Sequence, residues 1–258
     1  MIKPYLKYQA VKSTGGITEI VEDEIAIEKA LEVSINGNSF SVVMQTPGDE
    51  IELTCGLLFS EDIISKDYRP EFITKFTEDG FIEKVNCIIP VNELKEGYKG
   101  SRSLLSVSSC GICGKQKLED INFSGTKLID NGIEQTEIFE MMSALKLNQV
   151  VFNQTGAVHG SALFSSNYEL LTVKEDVGRH NSLDKAIGHL LQNNQLKDAK
   201  VLAFSGRLSF EIIFKSFRAK IPNILAVSAP TSLAIDYAKE FGITLYGFTR
   251  GNRFTRYC

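Results

Sequence analysis

Apolar and polar residues alternate near the start of the chain at the spacing of β-strands. The stretch 31–44, LEVSINGNSFSVVM, has apolar residues mostly at alternate positions on both sides of an Asn36–Gly37 pair. Such a pair favours a two-residue hairpin turn, because both residues tolerate positive φ angles. With this turn, Val33 is expected opposite Phe40, and the apolar side chains of the hairpin share one face of a sheet.

A helical pattern follows the hairpin. Residues 49–62, DEIELTCGLLFSED, place Ile51 and Cys55 on one side of a helix, with acidic residues in the first turn, where the helix dipole favours them. Cys55 is therefore expected to be a buried, inert thiol. The stretch 83–91, EKVNCIIPV, indicates a strand in which Cys87 has the same packing role. These patterns predict a small mixed unit of helix and sheet.

The second half of the chain alternates between strand and helix patterns. A helix at 137–147 and two strands, GAVHGSALF and YELLTVKEDV, come first. The following segments then alternate between helix and strand: HNSLDKAIGHLLQ, KVLAFSG, SFEIIFKSFRAK, NILAVSAP, TSLAIDYAKEFG and ITLYGFTRG. Alternation at this spacing predicts a parallel sheet covered by helices. Within the first of these helices, Asp184 and Lys185 are expected on a solvated face.

Small and polar residues follow four of the predicted strands. Because ligands bind beyond the carboxyl ends of strands in open α/β sheets, these residues are expected to form one site. They are Gly178, Arg179, His180 and Asn181; Ser205, Gly206, Arg207 and Ser209; Ser228, Ala229, Pro230, Thr231 and Ser232; and Thr249, Arg250, Gly251, Asn252 and Arg253. Helix capping explains any single cluster, but four clusters at one edge favour a binding site.

The chemistry of these strand ends suits a ligand that carries phosphate. Three of the clusters start helices, whose free N–H groups attract anions. Arg207, Arg250 and Arg253 offer forked donors to phosphate oxygens. His180 either contacts the ligand or simply starts a helix. The glycine-rich phosphate loops of ordinary dehydrogenases and ATPases do not occur in the sequence, so these classes are disfavoured.

Composition and charge narrow the class of protein further. The 258 residues are 43% hydrophobic and 23% charged, which suits one large domain or two small ones. A net charge of -4 argues against a broad basic surface for nucleic acid. Five cysteines, an odd number, argue against a disulfide framework. The sequence lacks a signal peptide pattern and a membrane-spanning run, so a cytoplasmic location is expected.

The stretch 104–115, LLSVSSCGICGK, contains Cys110 and Cys113 at a spacing found in zinc sites and in redox pairs. A structural zinc site usually takes its four ligands from two such pairs, and this chain has no second pair. His159 could contribute, but a zinc deaminase needs Glu two residues after its His, where this chain has Ser161. Deamination is therefore disfavoured, and no metal ligands are assigned.

Two further explanations concern sulfur chemistry. Redox pairs usually sit at a helix N-terminus, but Gly111 and Gly114 each disfavour a helix by roughly 1 kcal/mol relative to alanine. The composition instead suggests a mobile loop, and Lys115 would favour a thiolate nearby. An exposed thiolate on such a loop suits a carrier that accepts sulfur as a persulfide at one site and delivers it at another.

Several long segments resemble the formate dehydrogenase accessory sulfurtransferase family, FdhD. These segments are SSCGICG, TGAVHGSALF, EDVGRHNSLDKAIG, FSGRLSFEIIFK and AVSAPTSLAIDYAKEFGITLYGFTRGNRFTRY. The resemblance extends from the predicted hairpin to the C-terminus. It implies a three-layer, cytidine-deaminase-like α/β domain at 131–258 that binds a nucleotide cofactor. A smaller α+β domain at 1–130 would end in the cysteine loop, and the protein would form homodimers.

The resemblance also implies a function. Members of this family accept sulfur from a cysteine desulfurase and pass it to the molybdenum (or tungsten) bis-pterin guanine dinucleotide cofactor of formate dehydrogenase. The persulfide cysteine of the family matches Cys110, and Cys113 matches its auxiliary partner. The cofactor-binding segment matches Phe248, Thr249, Arg250, Gly251, Asn252 and Arg253, to which we add Arg207 and His180 from the strand ends. The alternative is a cofactor-binding chaperone without sulfur transfer, and a third possibility is a zinc-stabilised module.

Overall fold

The computed structural model of this protein describes residues 3–100, 126–129 and 132–258. Its helices and strands are β1 (Tyr5–Thr14), β2 (Ile17–Ala26), β3 (Lys29–Ile35), β4 (Asn38–Gln45), α1 (Glu50–Ser60), β5 (Glu71–Phe76), β6 (Ile82–Ile88), α2 (Glu96–Gly100), α3 (Gln135–Asn148), α4 (Val150–Thr155), β7 (His159–Phe164), β8 (Leu170–Asp176), α5 (Arg179–Gln192), β9 (Val201–Phe204), α6 (Phe210–Arg218), β10 (Asn223–Ala226), α7 (Ser232–Phe241), β11 (Thr244–Arg250) and β12 (Arg253–Arg256). Among these described residues, no helix is long and apolar enough to cross a membrane.

The larger sheet has the strand order β12-β11-β10-β9-β7-β8 in the described part of the chain. Strands β9, β10 and β11 are parallel, whereas β7 is antiparallel to both β8 and β9, and β12 is antiparallel to β11. The sheet is therefore mixed, and the expectation of a purely parallel sheet is wrong. The short connections β7–β8 and β11–β12 are the physical reason, because a tight turn can join only antiparallel neighbours. Strands β8 to β11 nevertheless point the same way.

Helices cover both faces of this mixed sheet. Helix α3 packs Ile138, Met141 and Leu145 against one face, where Ala162 and Ala203 are buried. Helices α5, α6 and α7 cover the other face. They bury the intervening strand residues Leu163, Leu202, Phe204, Ile224 and Leu245. Successive side chains of a strand point to opposite faces, so one apolar strand can serve both cores.

The smaller sheet has the order β4-β3-β6-β5 within the described residues. The predicted hairpin turn is confirmed, with φ angles of 51° at Asn36 and 81° at Gly37. The predicted register is wrong by one residue, because Val33 lies opposite Ser41 instead of Phe40. A register shift after Val33 places one extra residue in β4, as a β-bulge does.

Helices α1 and α5 pack closely together at two glycines. A Cβ atom on Gly56 of α1 would lie 1.9 Å from the backbone oxygen of Asp184 in α5. Reciprocally, a Cβ atom on Gly188 of α5 would lie 1.8 Å from the backbone oxygen of Glu52 in α1. Neither position has room for any side chain. The two glycines therefore fix how closely the helix of the smaller sheet packs against a helix of the larger one.

Charged residues of α5 are buried, so the expected solvated face at Asp184 and Lys185 is wrong. Each residue is 1% exposed. The Lys215 ammonium lies 2.5 Å from a carboxylate oxygen of Asp184, and Ser60 donates a hydrogen bond to the same carboxylate. The Lys185 ammonium lies 2.7 Å from the buried carboxylate of Asp176. The pairing offsets the cost of removing these charges from water.

A shared apolar core connects the two sheets. Leu31, Leu53 and Val85 belong to the same cluster of buried side chains as Leu183 and Ile187 of α5. The hairpin β1–β2 lies apart from this core, and many of its large apolar side chains are exposed. The expected boundary between residues 1–130 and 131–258 stays a prediction.

Candidate functional site

The four predicted strand ends lie at one edge of the mixed sheet, as expected, and their role as one binding site stays a prediction. The amino end of β7 joins them, because β7 is antiparallel to its neighbours. The loops that follow β9 and β10 run side by side there. Leu208 N–H donates to the carbonyl of Ala229, and Thr231 N–H donates to the carbonyl of Leu208. The edge is thus a continuous surface built from five strands.

His180 lies in the first turn of α5 and contacts the start of α6. Its Nε2 atom lies 3.0 Å from a carboxylate oxygen of Glu211 and 3.2 Å from the hydroxyl oxygen of Ser209. Ser209 donates a further hydrogen bond of 3.0 Å to the same Glu211 oxygen. His180 is 6% exposed. The carboxylate of Glu211 and the hydroxyl of Ser209 fix the orientation of the imidazole ring.

His159 lies at the start of β7, close to His180. The hydroxyl of Ser205 accepts a hydrogen bond from Gly160 N–H and lies 3.5 Å from His159 Nδ1. Burial lowers the pKa of His159 below its ordinary value, and the positive charge of Arg179 contributes to this lowering. His159 is therefore a neutral imidazole at pH 7, with a proton on only one of its ring nitrogens.

Arginine side chains occur at both ends of this edge. Arg179, at the start of α5, has a buried Nε atom without a hydrogen-bond partner among the described residues. The Cβ atom of Arg179 would lie 3.4 Å from a Cβ atom on Gly206, so the loop after β9 packs closely against it. Arg207 in the same loop is exposed. These two residues supply positive charge at the β8 and β9 ends.

The predicted cofactor-binding segment forms the end of β11 and a hairpin turn. Arg250 lies opposite Arg253, and Gly251 and Asn252 make the turn, with a φ angle of 56° at Gly251. All four residues are exposed. Phe248 is 47% exposed and has an unusual φ angle of 53°. Thr249 differs from the others, because its side chain is buried.

The cysteines divide into two groups. Cys110 and Cys113 lie outside the described residues. The thiols of Cys55 and Cys87 are fully buried, as expected, and burial raises the pKa of each to about 12. Burial also raises the pKa of Cys258, whose thiol donates to the carbonyl of Ile243. None of the three described thiols is a reactive thiolate at neutral pH.

The sequence profile of the FdhD/NarQ family matches residues 26–258. The chain belongs to this family. A sulfur carrier protein FdhD from Sulfolobus acidocaldarius is 37% identical over 252 residues, which are 97% of this chain and 95% of that protein. A protein of the same name from Saccharolobus solfataricus is 39% identical over 240 residues, covering 91% of this chain and 89% of that protein. The resemblance inferred from the motifs is therefore confirmed.

A solved structure has the same fold. It comes from Desulfotalea psychrophila and was provisionally described as a formate dehydrogenase accessory protein. The TM-score is 0.76, with 23% sequence identity, and the match covers 99% of this chain and 97% of that chain. At this identity the similarity establishes a mixed α/β fold with several sheets.

Two members of the site were missed from the sequence. Glu211 fits the helical pattern of α6, and that pattern does not predict its contact with His180. The sequence suggests His159 only as a metal ligand, because its place at the strand edge depends on the reversed direction of β7. Small residues flank both His159 and His180 in the sequence, and this is the one local signal that the two histidines belong to the same site. The structure brings His159, Arg179 and His180 together at one end of the edge.

Proposed function

We propose that this protein is a sulfur carrier for the maturation of formate dehydrogenase. In this proposal, Cys110 accepts sulfur from a cysteine desulfurase as a persulfide. The sulfur then passes to the molybdenum bis-pterin guanine dinucleotide cofactor, which is bound as a substrate at the strand edge. The names of the relatives, sulfur carrier protein FdhD, support the carrier role.

The observation that carries the proposal is the chemistry of the strand edge. It combines exposed Arg207, Arg250 and Arg253 with an exposed aromatic ring at Phe248. Guanidinium groups bind phosphates through paired hydrogen bonds, and an exposed ring can stack on a nucleobase. A ligand with guanine nucleotides and pyrophosphates needs both kinds of contact. The edge is therefore suited to the guanine dinucleotide cofactor.

Elimination among the thiols supports the assignment of the acceptor. A persulfide acceptor must be a nucleophilic thiolate that can reach a partner protein. Cys55 and Cys87 are buried and protonated, and the thiol of Cys258 donates to a backbone carbonyl. Of the five cysteines in the sequence, Cys110 and Cys113 then remain as candidate acceptors, and both lie outside the described residues.

The transfer can be written so that its electrons balance. The Cys110 thiolate attacks the terminal sulfur of the desulfurase persulfide, and the desulfurase thiolate leaves with the electron pair of the broken S–S bond. Delivery of sulfide to the cofactor then needs two electrons. Attack of the Cys113 thiolate on the inner sulfur of Cys110 supplies them, forms a disulfide between the two cysteines and releases sulfide. A cellular dithiol reduces this disulfide for the next cycle.

The strand order supports a finer description of the fold. We propose a three-layer, cytidine-deaminase-like core for strands β8-β7-β9-β10-β11, and the reversed direction of β7 and the helices on both faces support this description. In this description the strand edge corresponds to the ligand side of the sheet. The proposal concerns the fold and does not include deaminase activity, because residue 161 is Ser where a deaminase has Glu.

Intact-mass spectrometry after incubation with a cysteine desulfurase and L-cysteine tests the proposal. We expect wild-type protein to gain the mass of one or more sulfur atoms and to lose it with reductant. Cys110→Ala should gain none, because it lacks the acceptor thiolate, while its affinity for GDP stays unchanged. Cys87→Ala is a control that removes a buried thiol and should still load sulfur.

Three outcomes would contradict the proposal. If wild-type protein binds GDP but gains no sulfur, the cofactor-binding chaperone is the better description. If Cys110→Ala still gains reductant-sensitive sulfur, the acceptor is a different residue. Stoichiometric zinc in the purified protein would instead favour the zinc-stabilised module.

A further inference from the structure

The strand edge has two ends with different chemistry. Strands β9 and β10 separate β7 from β11, so the two ends lie three strand spacings apart, or about 14 Å. The end at β11 and β12 is exposed and carries Arg250 and Arg253. The end at β7 and β8 is more enclosed and carries His159, Arg179 and His180. An extended cofactor can therefore contact both ends with different chemical groups.

The enclosed end carries one guanidinium, that of Arg179, beside the N–H groups of two histidines. The titratable groups that face His159 from the neighbouring elements are Asp176 at the end of β8, and Arg179 and His180 at the start of α5. Asp176 is neutralised by Lys185 and accepts hydrogen bonds from the backbone N–H groups of Thr46 and Gly178. Glu211 of α6 is likewise engaged, through His180. Arg179 therefore has no carboxylate assigned to it in the described structure.

The donors at this end are held in fixed positions. The Ser205 hydroxyl accepts from Gly160 N–H, so its own proton can point to His159 Nδ1 and leave the other ring nitrogen as the N–H donor. Glu211 and Ser209 hold His180 from the other side. The buried Nε atom of Arg179 adds a donor that no described residue uses. Fixed donors around a partly enclosed space suit a small anion.

We infer that His159, Arg179 and His180 form a pocket for the anionic sulfur in transit, apart from the arginine hairpin that binds the nucleotide. This inference rests on the proposed function. The pocket would hold the terminal sulfur of a persulfide anion, or the sulfide that leaves it. A guanidinium in a partly desolvated site favours the anionic form of such a sulfur, and the surrounding side chains shield that sulfur from solvent.

Histidine NMR tests this pocket, because the chain has only three histidines. The ring resonances are recorded before and after the full-length protein is loaded with desulfurase and L-cysteine, with loading verified by intact mass. We expect His159 and His180 to shift on loading and to return with reductant. His189 is an internal control, because its ring lies farther along α5, 3.8 Å from Glu52, and it should not shift.

A variant series adds a kinetic readout. Cyanide removes the terminal sulfur of a persulfide as thiocyanate, so its rate reports how well the persulfide is protected. Arg179→Gln should lose its sulfur to cyanide about tenfold faster, which is the expected effect of losing one charge-assisted hydrogen bond. Arg179→Lys should restore part of the protection. Lys239→Gln, on the exposed side of α7, should behave like the wild type.

The outcomes separate this inference from the proposed function. If wild-type protein does not load sulfur, both fail. If it loads sulfur without any shift of His159 and His180, or if Arg179→Gln protects its persulfide like the wild type, the carrier role stands and the pocket is rejected. If GDP added to unloaded protein shifts both histidines, and Arg179→Gln loses affinity for GDP, the pocket belongs to the nucleotide and the inference is overturned.

Discussion

Arg250 and Arg253 are exposed and lie opposite each other where β11 meets β12. If this pair binds the phosphates of the cofactor, Arg250→Ala and Arg253→Ala should each weaken GDP binding by about tenfold, because each loses a charge-assisted hydrogen bond. The loss should be larger at low salt, where the attraction between charges is less screened. Isothermal titration calorimetry with GDP at two salt concentrations measures both effects.

Lys239→Ala is the matched control for the arginine variants. It removes an exposed cation on α7, outside the strand edge, and should leave GDP affinity within twofold of the wild type. An equal loss of affinity in Lys239→Ala would indicate a general effect of net charge. Unchanged affinity in both arginine variants would place the nucleotide elsewhere.

At the scale of elements, the contact between α1 and α5 depends on Gly56 and Gly188. An alanine Cβ at either position would lie within 2 Å of a backbone atom of the other helix, so the helices must separate. Gly56→Ala and Gly188→Ala should each lower the free energy of unfolding by about 3 kcal/mol or more, as overpacking of a core does. Urea denaturation followed by circular dichroism measures this loss.

The sign of the stability change distinguishes overpacking from a change in helix propensity, and an exposed helical position supplies a control. Gly→Ala at an open helical position stabilises a protein by about 1 kcal/mol, so the expected sign is opposite. Ser143→Ala, on the exposed side of α3, should change stability by less than about 0.5 kcal/mol. If Gly56→Ala and Gly188→Ala are neutral or stabilising, the close approach of the two helices is wrong.

At the scale of the whole molecule, the two sheets share one cluster of buried apolar side chains. Polar contacts also cross between them: Asp176 accepts from Thr46 N–H, and Arg218 pairs with Asp62. Because neither sheet can lose its core independently, we expect one cooperative unfolding transition. Differential scanning calorimetry should give a single peak whose calorimetric and van't Hoff enthalpies agree. Two separate peaks would instead support independent domains divided near residue 130.

Much of this architecture follows from local sequence patterns. The alternation of apolar residues predicts the β3–β4 hairpin and its turn, because Asn36 and Gly37 accept positive φ angles without tertiary help. Helical periodicity predicts α1, α3, α5, α6 and α7, which the structure confirms. The convergence of four strand ends is also predicted, since strands separated by helices point the same way. The long β1–β2 hairpin and the strand β12 were not predicted.

Other features depend on contacts between residues that are distant in the sequence. The bulge after Val33 shifts the hairpin register, and periodicity alone does not reveal an extra residue. Asp184 and Lys185 look solvated in a helical pattern, but both are buried, and partners distant in the sequence neutralise them. The sequence by itself therefore determined most of the elements of the larger sheet, the β3–β4 hairpin, α1 and the family, because these depend on local preference and motif. The tertiary structure decided which polar groups are buried and which histidines meet, because both depend on how closely separate elements approach.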